Sequence, residues 1–164
     1  MQKLASVEDI KHETDMNGSR RRLLIAEDDR PFRELMAHVF RSVGYEVVAV
    51  ANGVDLLDTL EVSSDPLLGS GAFDLVITDV RMPGRSGMSV FKELRNEGRV
   101  PPVVFVTGFG DPQVDRDARD VGALAVLDKP IDFDELRNLV NGYLSKAMQM
   151  QSGPAVNASG IGQK

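Results

Sequence analysis

The chain has 164 residues, of which 42% are hydrophobic and 27% charged, as is typical of a soluble globular domain. The formal net charge of −6 argues against nucleic-acid binding, which usually needs a basic surface. The absence of cysteine excludes disulfides and thiol catalysis, and no apolar run is long enough to cross a bilayer. The first residues also lack the apolar stretch of a secretory signal, so we expect a cytoplasmic protein that binds neither nucleic acid nor membrane.

Polar segments flank the middle of the chain. The first twenty residues have mixed charge, and the spacing of Leu4, Val7 and Ile10 is compatible with a short helix. The last residues are rich in Gly, Ser, Asn and Gln, and a segment with so few large apolar groups cannot offset its ordering entropy. The predicted organisation is an N-terminal extension over 1–20, one domain over 21–147 and a flexible tail over 148–164.

Strand and helix signals alternate five times between these ends. Runs typical of buried strands occur, in chain order, at residues 23–26, 45–50, 73–78, 103–106 and 124–127. Apolar side chains at helical spacing follow each run, through residues 32–43, 54–61, 90–94, 114–121 and 136–144. Near-continuous apolar strands that alternate with helices predict an α/β domain whose parallel sheet is covered by helices on both faces.

Polar side chains follow four of the five predicted strands. They are, in chain order, Glu27, Asp28, Asp29, Asp79, Thr107 and Lys129. Each alone is explained more simply as a cap, turn or packing residue, but the carboxyl ends of parallel strands share one edge, which is where such sheets bind ligands. Clustered carboxylates favour a hard divalent cation such as Mg²⁺, and a lysine and a threonine can hold phosphate oxygens. One carboxylate would then be free to attack phosphorus and form an aspartyl phosphate.

At these motifs the sequence resembles the receiver domain of two-component response regulators, from about Arg22 to Lys146. The segments that carry the resemblance are 24–29, 79–87, 106–108 and 127–130, and residues 107–111 are similar to the nitrogen-regulation and FixJ-like branches. The resemblance implies a CheY-like, flavodoxin-like (βα)5 fold, a doubly wound parallel sheet with strand order 2-1-3-4-5. It also implies a phosphoacceptor signalling protein rather than a conventional enzyme.

The resemblance assigns the phosphoacceptor and the metal ligands. Asp79 would accept a phosphoryl group from a sensor histidine kinase or a histidine phosphotransfer protein. Asp28 would ligate Mg²⁺ directly and Glu27 through water. Asp79 itself and the backbone carbonyl of Arg81 would complete the metal site.

The resemblance also implies how the switch is read. Lys129 would bind the phosphoryl group, and Thr107 would move toward it on activation. The Lys129–Pro130 peptide would be cis. The predicted fourth helix, fifth strand and fifth helix would form the output face, to which a downstream protein, an output domain or a second copy in a homodimer would bind.

The sequence departs from the family pattern at three places. Val126 replaces the aromatic residue usually found three positions before the conserved lysine, which weakens the expected coupling between phosphorylation and the output face. The loop over 65–71 is longer than usual, and loops tolerate insertions well. Arg81 and Phe109 occupy positions that control the approach of water to the phosphoryl group, and their bulk predicts slow self-dephosphorylation.

Two other functions are weighed against the phosphorylation switch. Val126 favours a phosphorylation-independent scaffold, whereas the intact set of acidic, threonine and lysine residues argues against it. A Mg²⁺-dependent phosphatase for small substrates would normally carry a second aspartate two residues after the nucleophile, and that position is Arg81. Both a stand-alone receiver and part of a longer regulator are compatible with the sequence.

Overall fold

Strands and helices alternate throughout the part of the chain that the computed structural model describes, residues 20–65, 67, 71–108 and 110–151. The strands are β1 (Arg22–Ala26), β2 (Glu46–Val50), β3 (Leu75–Asp79), β4 (Val103–Thr107) and β5 (Ala125–Asp128). The helices are α1 (Arg30–Ser42), α2 (Gly53–Ser64), α3 (Gly87–Asn96), α4 (Pro112–Val121) and α5 (Phe133–Gln151). The described residues therefore contain the five βα units that the sequence predicts.

The strands form one parallel sheet in the order β2-β1-β3-β4-β5. The predicted flavodoxin-like order is confirmed. The register pairs Asp79 with Val106 and Thr107 with Asp128, while β1 runs beside β3. The ends of β1, β3, β4 and β5 consequently lie side by side at one edge of the sheet.

Helices cover both faces of this sheet because successive side chains of a buried strand point to opposite sides. In β1, Leu23 and Ile25 pack in a cluster with residues of α1 and α5. Leu24 and Ala26 pack instead in a cluster with residues of α2, α3 and α4. The strands β3 and β4 are buried along their whole length, so the edge at which they end rests on the core of the domain.

The observed strands differ from the predicted ones mainly at their first residues. β3 begins at Leu75 rather than at residue 73. The Asp74 carboxylate turns toward the start of β1, where it accepts the Arg22 amide at 2.7 Å and the Arg21 guanidinium at 3.0 Å. The chain at Asp74 is therefore joined to β1 through the Asp74 side chain, and regular strand pairing starts at the next residue.

The C-terminal helix is longer than composition suggests. α5 continues to Gln151 and so includes the first residues of the predicted tail, 148–151. Methionine and glutamine, which make up these four residues, are good helix formers even without a buried face. The rest of the tail, the predicted N-terminal helix, Phe109 and most of the long loop before β3 lie outside the described residues. Within the described ranges, no helix is both long and apolar enough to cross a membrane.

Candidate functional site

Three carboxylates converge at the edge of the sheet where the strands end. Glu27 and Asp28 follow β1, and Asp79 is the last residue of β3. One oxygen atom from each lies within 4.8 Å of the others, with Glu27 and Asp79 buried and Asp28 exposed. The cluster therefore has a buried floor and one side open to solvent.

Asp29, the third acidic residue of the run, has a different role. Its Oδ1 atom accepts a hydrogen bond from the Phe32 amide at 2.8 Å and caps α1. Its own amide donates to Oε1 of Glu27 at 3.1 Å. Asp29 thus starts the helix and orients a neighbouring carboxylate.

Lys129 brings a positive charge to the cluster. Its Nζ atom donates to Oδ2 of Asp79 at 2.7 Å and to Oε2 of Glu27 at 2.9 Å. The Lys129–Pro130 peptide is cis, as the resemblance implies, and the Lys129 amide donates to the carbonyl of Thr107 at 2.8 Å. The lysine therefore joins the ends of three strands at one point.

The pKa values of the buried Glu27 and the half-buried Lys129 reflect their surroundings. Burial raises the pKa of the Glu27 carboxyl above its ordinary value, and the hydrogen bonds from Lys129 and the Asp29 amide offset this only in part. Burial lowers the pKa of Lys129, but its hydrogen bonds to Asp79 and Glu27 outweigh that effect and raise it. The ammonium form of Lys129 is consequently the stable one at neutral pH.

Asp79 is held by backbone as well as by the lysine. Its Oδ1 atom accepts the Arg81 amide at 2.7 Å. Behind it, a Cβ atom added to Gly87 at the start of α3 would lie 2.2 Å from the Asp79 carbonyl oxygen and 2.5 Å from Oγ1 of Thr78. The glycine therefore lets α3 begin directly against the backbone at the end of β3.

The remaining predicted site residues lie around this centre. Thr107 ends β4 beside Asp79 and is 2% exposed. The side chain of Arg81 is exposed, and its Nη2 atom lies 3.9 Å from Oδ2 of Asp111 at the start of α4. Val126 is half-buried and packs against the core on the α2–α4 side of the sheet.

Two residues of α1 border the site without having been identified from the sequence. The ring of Phe32 lies under Lys129, with Nζ 5.0 Å from the ring centroid. Arg33 donates from Nη1 to the carbonyl oxygens of Glu27 and Asp28 at 2.6 and 3.2 Å. Both are in the first turn of α1, where side chains point back toward the helix start. This direction was the one feature of the sequence that indicated they lie near the end of β1.

The donor set fits a hard divalent cation. Three carboxylates face one ammonium group, which leaves an excess of negative charge in a partly buried cluster. All the offered ligand atoms are oxygens, and Mg²⁺ prefers one or two carboxylates together with water and phosphate oxygens. Glu27, Asp28 and Asp79 are therefore the residues that could hold such an ion.

Comparisons with known proteins agree with this arrangement. The family described as the response regulator receiver domain matches residues 23–141. The chain is 30% identical over 123 residues to sporulation initiation phosphotransferase F of Bacillus subtilis, a match that covers 75% of this chain and 93% of that protein. It is 37% identical over 117 residues to the transcriptional regulatory protein PdtaR of Mycobacterium tuberculosis, with 71% of this chain and 53% of that protein covered. The chain thus spans nearly all of the first relative and about half of the second.

Solved structures share the fold. The response regulator protein TrrA of Thermotoga maritima, solved in complex with Mg²⁺–BeF, superposes with a TM-score of 0.62 at 30% sequence identity. The match covers 76% of this chain and 98% of that one. A DNA-binding response regulator of the LuxR family from Staphylococcus aureus superposes with a TM-score of 0.66 at 28% identity, with 76% and 98% covered.

Proposed function

Because the chain belongs to the response regulator receiver domain family, whose members act in two-component signalling, we propose that it is a phosphorylation switch with Asp79 as the phosphoacceptor. The phosphoryl donor would be a sensor histidine kinase or a histidine phosphotransfer protein. Receiver domains interact with such donors and with output domains. Glu27 and Asp79 are both buried carboxylates that Lys129 and a backbone amide contact. Asp79 is better suited to the reaction because it ends the central strand β3, next to the end of β4 where Thr107 lies.

In the proposed transfer, a carboxylate oxygen of Asp79 attacks the phosphorus of a phosphohistidine. The P–N bond breaks and its electron pair returns to the donor imidazole, which leaves an aspartyl phosphate. Lys129 would move one of its hydrogen bonds from the Asp79 carboxylate to a phosphoryl oxygen. The Thr107 hydroxyl would donate to another phosphoryl oxygen. Attack by water later releases inorganic phosphate and restores the carboxylate.

Receiver domains bind Mg²⁺ at the acidic pocket, and this chain carries the corresponding oxygen ligands. Asp28 would bind the ion directly and Glu27 through water, with Asp79 and the Arg81 carbonyl completing the set. The ion supplies electrostatic stabilisation of the phosphoryl oxygens when it is bound. The Mg²⁺–BeF complex of the Thermotoga relative supports this assignment.

One observation carries the proposal. The Lys129 ammonium contacts Glu27 and Asp79 at once, in a cluster where three carboxylate oxygens lie within 4.8 Å. A buried salt bridge alone would need only one carboxylate. The additional acidic groups make sense if a cation and a phosphoryl group share the site with the lysine.

The proposal is tested by measuring the intact mass of the protein after incubation with acetyl phosphate and Mg²⁺. We expect a gain of one phosphoryl group that disappears when Mg²⁺ is chelated. The Asp79→Asn variant keeps the shape of the side chain but lacks the nucleophile, and it should gain nothing. An equal mass gain in this variant would exclude Asp79 as the acceptor.

The consequences of phosphorylation would appear at α4, β5 and α5. The α4 helix buries only three apolar side chains among its residues, those of Val114, Ala118 and Val121. The free energy needed to change its packing should therefore be small. Drawing Thr107 toward the phosphoryl group would favour one of two packings of α4. A downstream protein, an output domain or a second copy would bind the altered face.

The bulk of Arg81 beside the acceptor would keep self-dephosphorylation slow.

A scaffold that works without phosphorylation is the second candidate. The half-buried Val126 favours it, because a small side chain on β5 cannot swing between the exposed and buried positions available to a large ring. This second candidate would be supported if the protein binds Mg²⁺ but its mass does not increase by a phosphoryl group after incubation with acetyl phosphate.

A further inference from the structure

Arg33 in the first turn of α1 contacts the backbone of the acidic loop that follows β1. Its Nη1 atom donates to the Glu27 carbonyl oxygen at 2.6 Å and to the Asp28 carbonyl oxygen at 3.2 Å. Its own amide donates to the Asp29 carbonyl at 2.9 Å. The half-buried side chain of Arg33 therefore holds two successive carbonyls of the loop that supplies two of the three clustered carboxylates, and the backbone of α1 holds the next.

The neighbours of Asp28 in this loop are fixed by their side chains, but Asp28 is not. Lys129 bonds the Glu27 carboxylate, and the Asp29 carboxylate caps α1. Within the described part of the chain, no donor bonds the exposed carboxylate of Asp28. Its direction is set by its own backbone, and Arg33 holds the carbonyl of Asp28 and the one before it.

We propose that Arg33 is a positioning residue for the divalent-cation site and that it orients Asp28 toward the ion through these two carbonyls. This inference rests on the magnesium site of the proposed function. The guanidinium has two opposing effects, because its positive charge repels a cation whereas its hydrogen bonds pre-order a ligand. The ordering effect dominates, since residues that orient metal ligands typically change metal affinity by about 10–100-fold.

Isothermal titration with Mg²⁺ tests the proposal on the full chain. Arg33→Gln removes the charge and the double contact, and we expect it to weaken Mg²⁺ binding about tenfold. Arg33→Lys keeps the charge, but Nζ ends one bond nearer the backbone than Nη1 and should not reach both carbonyls, so its affinity should also fall. The matched control is Arg30→Gln, since Arg30 lies in the same turn but bonds Glu34 at 2.7 Å instead of the loop. Its Mg²⁺ affinity should stay at the wild-type value.

A second measurement separates positioning from a general loss of structure. Phosphorylation of Arg33→Gln by acetyl phosphate should return to the wild-type rate when Mg²⁺ is raised to saturation, and its unfolding in EDTA should stay cooperative. Mg²⁺ affinity in Arg33→Gln that equals or exceeds wild type would overturn the proposal, because the charge effect would then dominate. If Arg33→Gln does not fold, wild-type Mg²⁺ affinity in Arg33→Lys would overturn it equally. Absence of Mg²⁺ binding by the wild-type protein would overturn the metal site itself and this inference with it.

Discussion

The ammonium group of Lys129 lies 2.9 Å from Oε2 of Glu27, a residue 102 positions earlier whose side chain is almost completely buried. This contact spans the sheet edge from β1 to the loop after β5. Glu27 depends on it, because an unpaired buried carboxylate is strongly disfavoured. The residue that would bind the phosphoryl group is therefore also the residue that stabilises the floor of the site at rest.

Replacing Lys129 with methionine should lower the free energy of unfolding in EDTA at pH 7 by about 2 kcal/mol. The methionine fills similar space but leaves Glu27 and Asp79 without a cationic partner. Urea unfolding measures the loss. Mg²⁺ should restore more stability to this variant than to wild type, because a cation would replace the missing charge.

The matched control for that experiment is Lys92→Met. Lys92 also contacts a carboxylate, Oδ2 of Asp117 at 2.7 Å, but its side chain is 49% exposed. Exposed ion pairs contribute only about 0.2–1 kcal/mol. Equal losses in the two variants would contradict the role given to burial of Glu27.

Gly87→Ala should destabilise the protein by about 1–3 kcal/mol, the usual cost of overpacking a tight site. The added Cβ atom would meet the Asp79 carbonyl oxygen and the Thr78 hydroxyl, so the start of α3 or the end of β3 must move. Phosphorylation of Asp79 should slow as well. Chemical denaturation and the acetyl phosphate assay measure the two effects.

Gly142→Ala is the control for this substitution. Gly142 is an exposed residue of α5, and an added Cβ atom would meet no atom within 4 Å. Alanine is favoured over glycine in a helix by about 0.5–1 kcal/mol, so this variant should be more stable than wild type. A stability loss in Gly142→Ala as large as that in Gly87→Ala would show that steric contact at β3 is not the cause.

Asp74→Asn should lower stability by about 3 kcal/mol, because it removes the charge that balances a buried arginine. Arg21 is 6% exposed and donates from Nη1 to Asp74. Its Nε and Nη2 atoms are buried without a hydrogen-bond partner among the described residues. The comparison is Asp134→Asn, whose partner Arg137 is partly exposed, and thermal unfolding should shift far less there. Similar shifts in the two variants would rule out a special role for the Arg21–Asp74 pair.

Sequence patterns predict the sheet and most of the site for a common physical reason. Buried parallel strands are short apolar runs, and residues at their carboxyl ends must meet at one edge. The sequence alone therefore places Asp79 and Lys129 close together. Phe32 and Arg33 were missed because their place in the first turn of α1 indicates only that their side chains point toward the helix start. What they contact there depends on how that helix leaves β1. The steric role of Gly87 was hidden for a similar reason, since a Gly- and Pro-rich stretch first indicates a loop.

The last prediction concerns the ion pair between Lys92 of α3 and Asp117 of α4. The hydrogen bond from Lys92, with a second from Gln113, lowers the pKa of the Asp117 carboxyl below its ordinary 3.8. A carboxyl with a depressed pKa stabilises the fold above about 3.8, and this contribution is lost as the pH falls through the folded-state value.

Lys92→Met should therefore cost up to about 1 kcal/mol at pH 7, and its difference from wild type should shrink below pH 3.8. Urea midpoints measured from pH 7 to pH 3 follow this change. Asp117→Asn removes the other partner and should give the same pH profile. A difference that stays constant down to pH 3 would mean that Lys92 supports α4 by packing alone, and the charge would then play no part in holding α4 against α3.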